Sequence, residues 1–344
     1  MRNILFLLAL VFFSPFAFGQ DADQLVKDGI ALHDKGDFSG AVAKYDAAIQ
    51  LQPGHALAMY EKSFSLISLK KYDDAASLLS RVLDISKDRN IRLKAYVNYG
   101  TVLDFKGDKK QSLKIYEQGI KEFPEEYLLY YNKGITEVGM NYADDAIASF
   151  KKSVQRKPMH ASSHNALGRM LADKSRIQSV LSLFSFLLIE PEGKRAEQNL
   201  DLLNKLIMKG VSRQDEKNVT INLDMGALDK KKNKEDDFSS AELMLSLLSA
   251  STPDSLKTDA DKMSHKMESL IAIIDETNKK DKGFYKNFYV PFFVDLKKND
   301  HIRTACYVAM TSSDKEDIFS WQRDNKARIE KFLEWLEGYK WAKE

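Results

Sequence analysis

One cysteine stands in the 344 residues, Cys306, and a single cysteine cannot close an intrachain disulfide. The fold must therefore hold by packing alone. Within Thr304-Ala305-Cys306-Tyr307-Val308 the thiol reads as a small buried apolar side chain rather than a reactive one. Charge of one sign is missing as well: 52 lysines and arginines nearly balance 50 aspartates and glutamates, leaving a formal net charge of +2. Those charges spread along the chain instead of gathering, which argues against nucleic-acid binding. Long apolar runs are absent apart from Ile4 to Phe13, and that run is shorter than the roughly 20 residues a membrane helix needs. No glycine-rich phosphate loop, nucleophile elbow, zinc-ligand pair with an adjacent glutamate or dinucleotide fingerprint occurs. Enzyme chemistry, a cofactor and a metal are accordingly not expected. His160 and His164 are spaced to share a helical face, yet no third ligand lies near them, so they read as solvated or packing residues. His33, His55, His265 and His301 stand alone.

The amino terminus is of a different kind. Met1-Arg2-Asn3 supplies one positive charge, Ile4 to Phe13 an apolar core, and Ala17-Phe18-Gly19 the small residues of a cleavage site. Residues 1–19 are expected to be a signal peptide cut after Gly19, with an uncleaved anchor as the alternative. No cysteine follows the small residues to accept a lipid. Export without disulfides fits the periplasm or envelope of a Gram-negative bacterium, where the mature chain would be soluble and without a membrane span. In that compartment the sequon Asn218-Val219-Thr220 means little.

What fills most of the chain is a period. Gly29, Ser63, Gly100, Gly134 and Gly168 follow one another at gaps of 34, 37, 34 and 34 residues. Twelve residues after each comes a modest residue, Ala41, Ala75, Ser112, Ala146 and Val180, and four further on a large one, Tyr45, Leu79, Tyr116, Phe150 and Phe184. Small residues let two helices approach while the large one fills the space beside them, and Pro53, Pro124, Pro158 and Pro191 close four of the units. Turn residues such as Lys35-Gly36-Asp37-Phe38 and Lys106-Gly107-Asp108-Lys109 separate the halves, so each unit reads as helix, turn, helix.

This pattern resembles the tetratricopeptide repeat family over roughly residues 22 to 192, in units of about 22–55, 56–89, 93–126, 127–160 and 161–194. Ser63, Ser112, Val180 and Leu187 depart from the family's small residues, and three extra residues precede Gly100. The resemblance implies an all-α fold, a right-handed superhelix of tandem repeats followed by a second helical domain. It also implies a concave groove lined by the first helix of each unit. Aligned on the small residues, that groove would present Val26 and Ile30, Tyr60 and Phe64, Val97 and Thr101, Tyr131 and Ile135, then Asn165 and Arg169. Family members that clamp a terminal carboxylate use Lys, Asn and Arg there, and only Asn165 and Arg169 offer anything comparable. An apolar, aromatic groove suits a protein or peptide segment instead. The competing reading is that the chain's own C-terminal helices fill it.

Beyond the repeats, Glu197 to Ile207 reads as a capping helix ending at Gly210, so the array is placed at 20–210. Residues 211–238 form a linker in which Val219, Ile221 and Leu223 alternate as one short strand with an unidentified partner, followed by a charge run from Asp229 to Asp237 that reads as a solvated loop. Residues 239–344 read as a helical domain. Ser239 or Ser240 would cap its first helix, Ser255 to about Lys279 would form the second, and Ser313 with Glu316 would make a capping box for one last helix carrying Ile318, Ile329, Phe332, Leu333, Trp335 and Leu336. Phe284, Phe288 and Phe292, with Tyr285, Tyr289 and Phe293, make stripes on a helix bent near Pro291, better explained as core than as a ligand pocket. The function expected is an exported scaffold or adaptor without catalysis. The alternative makes residues 239–344 a ligand-binding or enzymatic module, with Asp275, Glu276, Asp295 and Asp300 as its acids. A third reading has Trp335, Tyr339 and Trp341 inserting into a second copy, self-association through the C-terminal helix.

Overall fold

The computed structural model describes residues 21–213, 219–222, 236–250, 253, 255–277 and 283–342. The leader 1–19, Asn218 of the sequon, Leu223, residues 229–235 of the charge run and Lys279 lie outside the described residues.

Ten helices form five consecutive pairs: α1 (Ala22–Asp34) with α2 (Phe38–Leu51), α3 (Ala56–Ser68) with α4 (Tyr72–Ile85), α5 (Arg89–Phe105) with α6 (Lys109–Glu122), α7 (Tyr127–Val138) with α8 (Ala143–Arg156), and α9 (Ala161–Leu171) with α10 (Arg176–Ile189). Helix α11 (Lys194–Ile207) follows, then the strands β1 (Val211–Arg213) and β2 (Val219–Ile221). The rest is α12 (Ser239–Ala250), α13 (Asp259–Thr277), α14 (Phe284–Lys298), α15 (Ile302–Ala309), a 3-10 turn at Thr311–Ser313, α16 (Glu316–Asp324) and α17 (Lys326–Gly338). Among the described residues the protein is all-α apart from one antiparallel pair of strands, in which Val211 faces Ile221. The partner that the sequence left unnamed for the strand at 219–221 is thus the segment just before it.

Local rules set the pairs. The residue seven places after each small residue adopts left-handed backbone in four units, at Gly36 (φ 83), Lys70 (φ 59), Gly107 (φ 84) and Asn141 (φ 61). Glycine takes that conformation without penalty and asparagine with little, which is how one helix ends and the next can begin. Asp37 then caps α2, its carboxylate accepting from Gly40 N at 2.8 Å. Helices α2, α6, α8 and α10 each end two residues before a proline, at Leu51, Glu122, Arg156 and Ile189, since the residue before proline is forced out of helical backbone.

In the first and fourth pairs the small and large residues meet as expected. A Cβ on Gly29 would lie 2.5 Å from the Tyr45 ring, and one on Gly134 would lie 2.6 Å from the Phe150 ring. In the fifth pair the match shifts by one: Leu183, not Phe184, fills the space over Gly168. Phe184 turns to Phe293 of α14, with ring centroids 5.9 Å apart.

Two compact units divide the chain after Ser112. The first unit holds small cores, one around Leu25, Val26, Tyr45 and Ala58 and another around Met59, Leu79, Ala95 and Val102. The second holds one continuous core that runs from α8 through α17. Helix α10 shows why: twelve of its fourteen residues are buried, so both of its faces are covered. At its start Arg176, 7% exposed, donates to Leu206 O at 2.7 Å, Ile207 O at 2.9 Å and Ser246 Oγ at 2.9 Å, and faces Glu242. One guanidinium thereby satisfies the open carbonyls at the end of α11 and ties in α12.

Several sequence expectations about caps are corrected here. Helix α12 starts at Ser239 and is capped by Asp237, which accepts from Ser239 N at 3.0 Å. Helix α13 starts at Asp259, where Thr258 Oγ1 accepts from Asp261 N at 3.0 Å, rather than at Ser255. No capping box joins Ser313 to Glu316: Asp314 adopts φ 55 between them, Lys315 takes the cap position, and the Ser313 hydroxyl finds no partner. The expected single last helix is two, separated at Asn325. Helix α14 continues through Pro291 without interruption. The charge run is not solvated at its end either, because Asp236 is 8% exposed and accepts from Tyr285 N at 3.3 Å and Lys286 N at 3.1 Å. It satisfies the first turn of α14, and burial pushes its carboxyl above the usual range while those two bonds pull it back.

Candidate partner-binding surface

In the first unit the expected groove residues fall on α1, α3 and α5. Phe64 is the most open of them at 42% exposure. Its ring is held by His33, stacked at 4.8 Å and 21°, and His33 is fixed in turn by a 2.7 Å hydrogen bond between Nδ1 and Ser65 Oγ and by the edge of Phe38 at 5.0 Å. Tyr60 is half-buried. Its hydroxyl accepts from Asn98 Nδ2 at 3.1 Å, and the Lys94 ammonium lies 6.0 Å from the ring centroid. Burial, with the neighbouring Glu61 charge, pushes the Tyr60 hydroxyl up to about 12, so it is a neutral donor at any physiological pH. Burial also raises the Glu61 carboxyl, against the opposing pull of Lys94. Ile30, Val97 and Thr101 are half-buried. Val26 belongs to the core instead: it is 2% exposed beside Leu25 and Ala58 and offers no surface to a partner.

The second unit carries the remaining four. Ile135 is 42% exposed and Arg169 is exposed, its Nη1 3.4 Å from Asn199 Oδ1. Tyr131 is wedged between Phe150 at 5.8 Å and the edge of His160 at 5.0 Å. The Asn165 Oδ1 is buried without a hydrogen-bond partner. Beside it His164 is fully buried, and its Nε2 donates to Pro158 O at 2.6 Å. Because a carbonyl only accepts, Nδ1 must be the unprotonated nitrogen, and it accepts from the Tyr289 hydroxyl at 2.7 Å. Burial lowers His164 to about 4, in keeping with a neutral ring.

Residues from the C-terminal helices thus cover the His164 side of α9, while Ile135 and Arg169 remain open. Trp341 completes the cover, 6.2 Å from His164 and stacked on Phe292 at 4.3 Å and on Phe288 at 4.9 Å. Trp335, Tyr339 and Trp341 pack within their own chain, against the stripe on α14. The stripe itself is core, with Phe288, Tyr289, Phe292 and Phe293 at most 2% exposed. The four acids named from the sequence do not converge on it: Asp295 accepts from Tyr339 at 3.1 Å, Asp300 binds Arg328 at 2.8 Å, and Asp275 and Glu276 are exposed. Cys306 is fully buried, and burial holds its thiol well above the ordinary range. Sequence reasoning gave no role to His33, Lys94 and Asn98, of which His33 stands three residues after Ile30, Lys94 three before Val97 and Asn98 four after Lys94. That helical spacing is the signal by which they could have been found.

Two family models, both described as tetratricopeptide repeat, match residues 32–97 and 93–126. No curated protein matches. Among solved structures, MamA from Desulfovibrio magneticus RS-1, from its residue 41 to the end, is 19% identical over 51% of this chain and 96% of its own, with a TM-score of 0.42. YrrB, described as a TPR protein with an unusual peptide-binding site, is 19% identical over 53% of this chain and 93% of its own, with a TM-score of 0.42. PilF from Pseudomonas aeruginosa is 14% identical over 55% of this chain and 89% of its own, with a TM-score of 0.46.

Proposed function

This chain is a tetratricopeptide-repeat protein, and from that premise we propose that it is an exported scaffold that binds an apolar segment of a protein partner through the first-helix faces of its repeats, without catalysis of its own. The observation that carries the reading is Phe64. A large aromatic ring left 42% exposed, yet immobilised by the His33 stack, has little conformational entropy left to lose on binding. Tyr60 beside it adds a second aromatic and a fixed hydroxyl. Ile135 is the corresponding open position in the second unit. The leader-like residues 1–19 support export, and no described helix is long and apolar enough to cross a membrane. The alternative, a catalytic C-terminal domain, is weakened by the filled aromatic core around Phe288.

The test is a crosslinking pull-down from envelope extract, comparing the chain with a variant carrying Tyr60→Ala and Phe64→Ala. Partners retained by the parent and lost from a variant of unchanged helical content support the reading. Identical partner sets refute it.

A further inference from the structure

A pocket of about 980 Å³ opens in the second unit between α11, the start of α13 and the turn at 310–315. Its apolar lining includes Ile207, Met208, Met263 and Met310, and unbranched thioethers adapt to varied ligand shapes. On α11 the lining residues Glu197 and Asp201 stand one turn apart, so their carboxylates lie on one side of the helix. On α13, Asp259 binds the Lys315 ammonium and lies 3.8 Å from that of Lys262, so these two lysines share one carboxylate. Lys266 is 8% exposed, its Nζ 3.5 Å from the Met208 sulfur. Among the described residues Glu197, Asp201 and Asp314 are then the lining carboxylates with no ion pair. The turn bears marks of a built site as well. Asp314 sits at φ 55, and the hydroxyls of Ser312 and Ser313 are buried without partners. Strain and unsatisfied polar groups of this kind cluster where ligands bind.

We propose that this pocket binds an extended peptide segment, with an apolar side chain on the methionines and a lysine or arginine between Glu197 and Asp201. Length favours a peptide over a compact metabolite. The α11 lining runs from Glu197 to Met208, about 16 Å of helix at ~1.5 Å per residue, which an extended peptide spans in roughly five residues. The volume lies at the upper end of the range of about 300–1,000 Å³ for ligand pockets. This site is separate from the first-helix faces and does not depend on the reading given for them.

The experiment is an array of acetylated heptapeptides, Ser-X-Ala-Ala-Ala-Z-Ser, whose variable positions stand about 13 Å apart when extended, with X and Z drawn from Leu, Met, Phe, Lys, Arg, Glu and Asp, probed with the full chain. Pairs of one apolar and one basic residue should bind at least tenfold more strongly than apolar-acidic pairs. That preference should vanish in the doubly substituted Glu197→Gln/Asp201→Asn chain and persist in Phe64→Ala, with helical content unchanged in both. Since both acids are exposed, raising salt should also erode the preference in the parent chain. Equal binding of basic and acidic pairs, binding of no peptide, or an unaltered preference in the double variant would each overturn the proposal.

Discussion

His164 joins three parts of the second unit: its own helix α9, the turn at Pro158 and Tyr289 of α14. In the folded protein burial holds it at about 4, below the ordinary 6.5, and His160 is lowered to about 4 in the same way. A histidine depressed in this manner contributes stability that is intact above about 6.5. That contribution is lost as pH falls from there through 4, because only the unfolded chain takes up the proton. The urea midpoint should therefore drop between pH 7 and pH 5. His164→Gln, although less stable at neutral pH, should show a smaller drop, and an undiminished one would count against this account. The spacing of His160 and His164 was legible, but His164's hydroxyl partner lies 125 residues away and no local pattern could name it.

At the scale of the helix pair, the small-and-large code does the packing. Gly134 gives Phe150 room: the ring is fully buried, and a methyl group at position 134 would lie 2.6 Å from it. Gly134→Ala should cost about 1–3 kcal/mol through overpacking, read as a lowered urea midpoint. Combining it with Phe150→Leu should cost less than the sum of the two changes, since the second removes the atoms the first collides with. Strict additivity would mean that the contact does not matter. Pair boundaries followed from turn residues and prolines. Caps were harder, because Asp236 serves α14 from about fifty residues away and the Ser313 motif is undone by the backbone at Asp314.

Across the chain, the break in element type near Gly210 is not a break in packing. Helices beyond 238 share a core with α8 to α11, and α10 has buried residues on every side. A chain ending at Gly210 would expose Phe184, Tyr-facing Ser182 and much of the rest of α10 to water. That fragment should aggregate or lose helical signal, whereas the full chain stays folded, as size-exclusion chromatography and circular dichroism would report. A monodisperse, fully helical fragment would instead support an independent array at 20–210.

The sequence by itself determined the five helix-turn-helix units, the turns of four of them and the close approach at Gly29 and Gly134, because a glycine, a left-handed turn position and a proline act on neighbours within one unit. Only the tertiary structure decided which helix faces stay open. Val26 went into a core, His164 under Tyr289 and Trp341, and Phe64 to the surface. Burial depends on what arrives from distant chain, and amphipathic spacing records that a face is apolar without recording what covers it.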